Sequence, residues 1–172
     1  IKWASLAGNN LVHPGECVHR GMEAEEACAL LGKLPQPPTE AVAVNVAGAE
    51  LEIAVAERLS DAYGVILHRV QASADWGAIK NGYTEYEQLG ADRWAALVGA
   101  WGLNQADQDL VIVDAGTAVT IDLLRADGQH LGGVIMAGMQ MAESALGGET
   151  ADITNFSGRQ PGPGEEAWYG RS

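Results

Sequence analysis

The alternation of apolar and polar positions is clearest in the second half of the chain. A continuous apolar run at residues 111–113 predicts a buried strand that delivers Asp114 to a turn. From residue 117 to 124 the pattern has a period of two, with Thr120 and Asp122 on one face and apolar side chains on the other. The sequence therefore predicts a β-hairpin whose turn begins at Asp114.

The first half of the chain combines strand and helix patterns. A turn signal at residues 8–10 separates two stretches of strand periodicity, and Gly64 is a plausible helix stop. The predicted elements are strands at 1–6 and 11–18, a helix at 22–31, a strand at 41–46, a helix at 49–63 and a strand at 65–70. This order predicts a mixed α/β half with a parallel portion.

The second half repeats the same order of elements. After an irregular loop at 71–88, we expect a helix at 92–101, three strands between 109 and 135, and a helix at 138–146. Each half then has strands that lead into a helix. We predict a duplicated α/β architecture with a cleft between its halves, and this duplication rests on the order of elements alone.

Composition and charge narrow the classes of function. The chain has 172 residues, of which 47% are hydrophobic, and 23 acidic against 10 basic residues give a net charge of −13. No basic stripe is present to neutralise phosphates, so we expect a small-molecule partner and no nucleic acid. No apolar run has the length of a membrane span and no signal peptide is visible, so we expect a cytoplasmic protein without a membrane partner. Cys17 and Cys28 lack metal-ligand spacing and are expected to be reduced thiols.

The turn that begins at Asp114 has the chemistry of a phosphate or cation site. Asp114 ends a strand, Gly116 lets backbone N–H groups approach a ligand closely, and Thr117 adds a hydroxyl. A hairpin turn that merely favours Asp and Gly explains these residues equally well. The residues alone leave both interpretations open.

Asp92 also has two interpretations. As the N-cap of the helix at 92–101 it would accept hydrogen bonds from the first turn, and taken alone this explanation is favoured. Its neighbours Gly90 and Arg93, and a nearby loop at 81–83 that could shape a pocket mouth, favour a functional role. A carboxylate there could accept the proton of an alcohol that attacks a phosphoryl group, because alignment and charge neutralisation matter more in this reaction than base strength.

The remaining candidates are weaker. The glycines between residues 131 and 138 offer bends and close approach before a helix, but tight packing alone explains them. Thr150 either binds a polar ligand or caps a turn, and residues 157–166 have the composition of a surface loop. The four histidines have no spacing typical of a metal site or a catalytic triad. The sequence contains neither a nucleophile elbow nor a Walker motif, which disfavours hydrolytic triads and P-loop NTPases.

Taken together and in order, these residues resemble the type III pantothenate kinase family, of the superfamily that includes actin, sugar kinases and heat-shock-chaperone ATPases. The resemblance covers most of the chain. Its pieces are Ile1-Lys2-Trp3, which is similar to the end of the family's first phosphate motif, Asn81-Gly82-Tyr83, Gly90-Ala91-Asp92-Arg93-Trp94, Asp114-Ala115-Gly116-Thr117-Ala118-Val119-Thr120, Gly132-Gly133-Val134-Ile135 and Thr150-Ala151. D-x-G-T alone is a weak motif, whereas six pieces in the right order are specific.

The resemblance implies a duplicated ribonuclease-H-like (actin-like ATPase) fold, with halves at 1–88 and 89–172. It also implies ATP-dependent phosphorylation of pantothenate to 4'-phosphopantothenate, the first step of coenzyme A biosynthesis. It implies that Asp92 is the proton acceptor and that Asp114 is the ligand of a monovalent cation, K⁺ or NH₄⁺. The implied pantothenate-binding residues are Tyr83, Gly90, Ala91, Asp92, Arg93 and Thr150. The implied ATP-binding residues are Lys2, Gly116 and Thr117. Mg²⁺ is the further cofactor that the resemblance implies.

Members of the family are homodimers whose pantothenate pocket the partner subunit closes, so we expect a homodimer. Two departures are visible. The chain starts after the Asp, Gly and Asn of the first phosphate motif, and Ala137 stands where the family usually has proline. We therefore expect this chain to lack the first strand of the fold, and also a C-terminal part.

Two alternatives to the kinase remain. One is a non-catalytic nucleotide-binding regulator of the same fold, which the retention of both Asp92 and Asp114 disfavours. The other is a phosphatase of the same superfamily. In the kinase interpretation, the two carboxylates converge on one groove, and Arg93 supplies positive charge for two anionic substrates in an otherwise acidic protein.

Overall fold

The computed structural model describes residues 1–8, 10–17, 23–104 and 108–149, and it confirms the α/β class. The strands are β1 (Lys2–Ala7), β2 (Asn10–Glu16), β3 (Ala41–Ala43), β4 (Leu67–Arg69), β5 (Asp75–Trp76), β6 (Ile79–Lys80), β7 (Leu110–Ala115), β8 (Ala118–Leu124) and β9 (His130–Ala137). The helices are α1 (Ala24–Ala27), α2 (Ala49–Tyr63), α3 (Ala91–Leu103) and α4 (Met139–Glu149). Thr150 and the predicted surface loop at 157–166 lie outside the described residues.

The predicted first hairpin and the helix α2 are both present. β1 pairs antiparallel with β2, and Gly8 at the turn has a left-handed φ of +60°. α2 carries Glu50 and Glu52 in its first turn, where acids suit the helix dipole. It ends at Gly64, whose φ is +67° and whose N–H donates to the carbonyl of Ser60 at 2.7 Å. A residue with a Cβ would be strained at this position, so the glycine fixes the end of the helix.

Two short strands give the predicted parallel portion. β3 pairs in parallel with β4, and α2 connects them. An open groove of about 820 Å³ lies between β1 and β3. Leu6 and Val42 line it and remain 70% and 68% exposed. Among the described residues, β3 has no strand partner other than β4, and β1 has none other than β2.

Helix α1 is shorter than the sequence predicts. The pattern at 22–31 predicts one continuous helix, but α1 ends at Ala27 and a 3₁₀ turn, Ala29–Lys33, follows it. Such tighter turns are common at helix ends. The residue before Pro35 is extended, as sterics before a proline favour, so the helix cannot continue.

The segment at 71–88 contains structure that the sequence did not predict. β5 and β6 form a two-residue antiparallel hairpin around Gly77, whose φ is +59°. The N–H of Lys80 donates to the carbonyl of Gly128 at 2.9 Å, which ties this hairpin to the turn between β8 and β9. Strands of two residues carry no detectable periodicity, which explains why they were missed.

β7, β8 and β9 form the predicted antiparallel sheet, and α3 packs on β7 and β8. The alternation in β8 is confirmed, but the buried face is the one that carries an acid. Asp122 is 2% exposed and Leu124 is 1% exposed, whereas Leu123 is 44% exposed. An acid therefore lies where an apolar residue is the usual occupant.

The described residues form two separate hydrophobic cores. The first core contains Cys28, Leu31, Ala54, Leu59 and Val65, and the second core contains Ile79, Leu89, Trp94, Leu97 and Leu124. The second core includes Ile79, which precedes the predicted boundary at residue 88. In the part of the chain that the structure describes, no helix is both long enough and apolar enough to span a bilayer.

Candidate functional site

Asp92 lies in the first turn of α3 but does not cap it. Gly90 is the N-cap residue, Ala91 is the first helical residue, and no side chain hydrogen-bonds to the cap. The N-cap interpretation of Asp92 is therefore wrong. Its carboxylate is exposed, and Oδ1 accepts a hydrogen bond from the N–H of Arg93 at 2.8 Å. A Cβ on Gly90 would lie 2.5 Å from this oxygen, so the glycine leaves the space that the carboxylate occupies.

The side chain of Arg93 is buried in a bidentate ion pair with Asp122. Nε donates to Oδ2 at 2.9 Å and Nη2 donates to Oδ1 at 2.6 Å, and the two side chains are 5% and 3% exposed. The hydrogen bonds to Asp122 raise the pKa of Arg93 above its ordinary value although burial opposes this. The charge of Arg93 is thus balanced inside the protein, which differs from the expectation that it faces an anionic substrate in the cleft.

Asp122 is ionised because its partners outweigh its burial. Burial alone would raise the pKa of this carboxyl, but hydrogen bonds from Arg93 and His130 hold the pKa below its ordinary value. The Nε2 atom of His130 lies 2.9 Å from Asp122 Oδ1, and the histidine is 1% exposed. Three side chains from α3, β8 and β9 therefore meet at one buried carboxylate.

His130 also contacts the loop at 81–83. The N–H of Gly82 donates to His130 Nδ1 at 3.3 Å, and the ring of Tyr83 stacks on the imidazole with centroids 6.0 Å apart. The hydroxyl of Tyr83 accepts a hydrogen bond from Arg93 Nη1 at 3.3 Å. The side chain of Asn81 holds the loop itself, since its Oδ1 accepts the N–H of Tyr83 at 3.0 Å. We call Tyr83, Arg93, Asp122 and His130 the buried polar cluster.

Two glycines allow this close packing. A Cβ on Gly82 would collide with the carbonyl of His130. A Cβ on Gly133 would collide with the carbonyl of Ile121 and with the Asp122 carboxylate, and would lie 2.7 Å from Arg93 Nη2. Tight packing is one interpretation of the glycines at 131–138. At Gly133 the missing side chain leaves space for the Arg93–Asp122 ion pair.

A cavity of about 540 Å³ opens beside the start of α3. Gly90 and Ala91 line it from α3, and Arg69 lines it from the end of β4. The guanidinium of Arg69 is 3.4 Å from Glu52 and its side chain is 47% exposed. The other lining residues are mostly polar and include Asn45, Gln71, Ser73 and Glu87. Open α/β sheets bind ligands outside the carboxyl ends of parallel strands, where this cavity lies, and its volume suits a small molecule.

The turn between β7 and β8 carries the other predicted site residues. Asp114 ends β7, pairs in register with Thr120 and is exposed. Gly116 and Thr117 form the exposed turn itself, in which the N–H of Gly116 donates to the carbonyl of Ala118 at 2.9 Å. The turn thus presents a carboxylate, backbone groups and a hydroxyl to solvent, as a phosphate or cation site requires.

Gly138 packs directly against this turn. Its N–H donates to the carbonyl of Thr117 at 2.9 Å, and a Cβ on Gly138 would collide with the carbonyls of Gly116 and Thr117. α4 begins at the next residue, so the start of this helix rests directly on the turn.

Lys2 lies apart from the cavity at α3. It is exposed on β1 and lines the larger groove between β1 and β3. Within the described residues, no group of three or more His, Cys, Asp or Glu side chains could hold a metal ion. Asp114 therefore belongs to no such group within the described residues.

The type III pantothenate kinase family model matches residues 1–172. The chain belongs to this family. Similar curated proteins named type III pantothenate kinase come from Aromatoleum aromaticum, with 37% identity over 94% of this chain and 64% of the relative, and from Halorhodospira halophila, with 37% identity over 89% and 61%. The Burkholderia vietnamiensis type III pantothenate kinase is 42% identical over 91% of this chain and 59% of its own length. The chain thus spans less than two thirds of the length of these relatives.

Sequence reasoning missed two members of the buried polar cluster. Asp122 occupies a polar position in an alternating strand and resembles a solvent-facing residue, and His130 has no partner at a recognisable spacing. Both lie in the segment that carries the pantothenate kinase motifs between Asp114 and Ile135. The available signal was the adjacent pair Gly132-Gly133, which allows the close approach that the ion pair needs.

Proposed function

We propose that this protein transfers the γ-phosphoryl group of ATP to the primary hydroxyl of pantothenate and forms 4'-phosphopantothenate, the first step of coenzyme A biosynthesis. Membership of the type III pantothenate kinase family and the names of the relatives support this function. The structural observation that carries it is the first turn of α3, where Gly90 and Ala91 line a cavity and the next residue, Asp92, holds an exposed carboxylate.

Asp92 is the proton acceptor in this proposal. The hydroxyl oxygen attacks the γ-phosphorus, the bond from that phosphorus to the bridging oxygen breaks, ADP leaves, and Asp92 takes the hydroxyl proton. The hydrogen bond from the N–H of Arg93 orients the carboxylate. Phosphoryl transfer depends mainly on alignment and on neutralising charge, so an ordinary aspartate is an adequate base.

Pantothenate occupies the cavity beside α3 in this proposal. Gly90 and Ala91 supply one wall and Asp92 follows them in the chain, with Tyr83, Arg93 and Thr150 as the further binding residues. Because the charge of Arg93 is balanced by Asp122, the positive group available to the pantothenate carboxylate is Arg69, which lines the cavity and is half exposed. The position of Arg69 in the cavity wall supports it as an additional pantothenate-binding residue.

ATP binds at the turn between β7 and β8 in this proposal, through Gly116 and Thr117, with Lys2 at the phosphates. Asp114 holds the monovalent cation, K⁺ or NH₄⁺. The donor set fits Mg²⁺ only when substrate phosphates supply ligands, because the described residues form no metal-binding cluster. When bound, Mg²⁺ would neutralise charge on the phosphates.

We further propose the duplicated ribonuclease-H-like fold with halves at 1–88 and 89–172, a homodimer and a cytoplasmic location. The two separate hydrophobic cores support a division into two halves, with Ile79 of the first half packed in the second core. The dimer and the location rest on the resemblance to the family.

Mass spectrometry of the product formed from ATP and pantothenate tests the function. We expect 4'-phosphopantothenate from the unaltered protein and a loss of kcat of at least about 10²-fold in Asp92→Asn. Glu50→Gln, which alters an exposed acid in the first turn of α2, is the matched control and should leave kcat unchanged. An unaffected rate in Asp92→Asn removes Asp92 from the mechanism. ATP binding without product favours the regulator, and phosphate release from 4'-phosphopantothenate favours the phosphatase.

A further inference from the structure

The buried polar cluster joins two neighbouring segments to a hairpin that is distant from both in sequence. One is the loop at 81–83, and the other is the first turn of α3. Both contact the hairpin of β8 and β9, since Gly82 and Tyr83 contact His130 while Arg93 contacts Asp122. These are the two segments that carry the proposed pantothenate-binding residues Tyr83, Gly90 and Ala91.

The hydrogen bonds of His130 determine its tautomer. Nδ1 accepts the N–H of Gly82, so Nδ1 holds no proton. Nε2 faces the ionised Asp122 at 2.9 Å and donates its proton to that carboxylate. With Nδ1 as acceptor and Nε2 as donor, the imidazole pairs with the Gly82 N–H on one side and with the Asp122 carboxylate on the other, which a lysine, a carboxylate or an apolar side chain could not do.

We infer that His130 and Asp122 are positioning residues of the kinase site, which fix the loop at 81–83 against the first turn of α3 and so set the pantothenate-binding wall. This inference rests on the proposed function. His130 contributes the surface on which Tyr83 stacks, and Asp122 directs the guanidinium of Arg93 so that Nη1 reaches the Tyr83 hydroxyl. Neither residue lines the cavity, and both act through Tyr83 and Arg93.

The buried polar cluster does more than stabilise the fold, because its hydrogen bonds fix the positions of the loop and the helix. A buried ion pair of this kind is often no more stabilising than apolar residues of the same volume, so stability alone does not require it. Directional hydrogen bonds, by contrast, allow few arrangements of the loop and helix. A misplacement of about 1 Å in binding residues can reduce catalysis by about 10²-fold, so such constraints affect turnover directly.

The test uses two histidine variants that each keep half of the contacts. His130→Gln keeps a donor for Asp122 but leaves Gly82 without its acceptor, whereas His130→Asn keeps an acceptor for Gly82 and loses the contact with Asp122. We expect each to raise the KM for pantothenate about 10-fold while the KM for ATP stays within about 2-fold. His68→Gln, at an exposed histidine on β4, is the matched control and should change neither constant.

A fourth variant keeps the test decisive if the histidine variants do not fold. Tyr83→Phe retains the ring that stacks on His130 and removes only the hydroxyl that accepts from Arg93. It should also raise the KM for pantothenate, by about 3-fold or more, while the unfolding temperature stays within a few degrees. Equal pantothenate KM values for folded His130→Gln, Tyr83→Phe and His68→Gln would overturn the positioning role.

Nitrogen NMR of the imidazoles separates this outcome from failure of the proposed function. We expect a protonated Nε2 and an unprotonated Nδ1 at His130, and a shift of both nitrogens and of the Gly82 amide when pantothenate is added, with no shift at His68. An unaltered protein that forms no 4'-phosphopantothenate rejects the function. A protein that turns over while pantothenate leaves the His130 signals unmoved rejects the positioning role alone.

Discussion

Asp122 keeps a negative charge where burial would favour its neutral form. Two hydrogen bonds from Arg93 and one from His130 lower its pKa in the folded protein below the ordinary value near 4. A group with a lowered folded pKa stabilises the fold above its unfolded pKa. That stabilisation is lost as the pH falls from about 4 through the lower folded value.

The Asp122→Asn variant should therefore show a pH-dependent defect. Removing one partner of a buried pair leaves Arg93 charged and unpaired, which costs about 3–5 kcal/mol of unfolding free energy at pH 7. The difference from the unaltered protein should shrink as the pH falls below about 4, and urea denaturation at several pH values measures it. Asp61→Asn, at an exposed position of α2, is the control and should change stability by under about 0.5 kcal/mol. A defect of equal size at all pH values would contradict the assignment of the charge.

Arg69 offers a test of charge in the cavity beside α3. Its surface ion pair with Glu52 contributes at most about 1 kcal/mol, so Arg69→Gln should fold normally. We expect the KM for pantothenate to rise about 5- to 10-fold with kcat nearly unchanged, because a uniform binding interaction is lost. Arg125→Gln is the matched control, since Arg125 forms a similarly exposed pair with Asp127 at 3.4 Å. Equal effects of the two variants in steady-state kinetics would remove Arg69 from the site.

At the scale of single residues, the sequence predicts which side chains belong to a motif but not which distant side chains they pair with. Asp92 and Asp114 were predictable because each lies two residues from a glycine in a motif, and both carboxylates are exposed in the structure. The partnership of Arg93 with Asp122 spans 29 residues and has no sequence periodicity. A single histidine such as His130 has no spacing that could predict its partner.

At the scale of elements, strong periodicity and clear end signals gave reliable predictions. α2 has both, and its predicted bounds are confirmed by the structure. The helix predicted at 22–31 ends at Ala27 and continues as a 3₁₀ turn, so its predicted length was wrong. The hairpin of β5 and β6 is too short for any pattern to reveal it.

β9 approaches β8 and α3 closely because it carries a glycine at the contact. Gly133→Ala should destabilise the protein by about 2–4 kcal/mol, because the new methyl would collide with a backbone carbonyl and with the Arg93–Asp122 pair. Gly99→Ala, in α3 with open space around it, is the control and should stabilise by about 0.5–1 kcal/mol. Thermal and urea unfolding measure both changes. A neutral Gly133→Ala would mean that β9 can move away at no cost.

At the scale of the whole molecule, the cavity beside α3 is lined by elements that pack on different cores. Arg69 ends β4, a strand whose Leu67 packs on the first core, and Gly90 precedes α3, which contributes Trp94 and Leu97 to the second core. The sequence predicted two halves from the order of elements, but not that Ile79 would pack with the second core. Which residues a connecting segment packs against is decided by tertiary contacts that no local pattern encodes.

Two cores that share few contacts need not melt together. In differential scanning calorimetry, the ligand-free protein should give a broadened endotherm that resolves into two steps. A molecule held between Arg69 and the α3 terminus contacts β4 and α3, which pack on different cores, so saturation with pantothenate should merge the two steps into one cooperative transition. Binding to the folded state should also raise the midpoint, because a hundredfold excess over Kd stabilises that state by about 2.7 kcal/mol. The ligand would then couple the unfolding of the two cores. A scan that stayed biphasic at saturation would show that pantothenate stabilises only one of them.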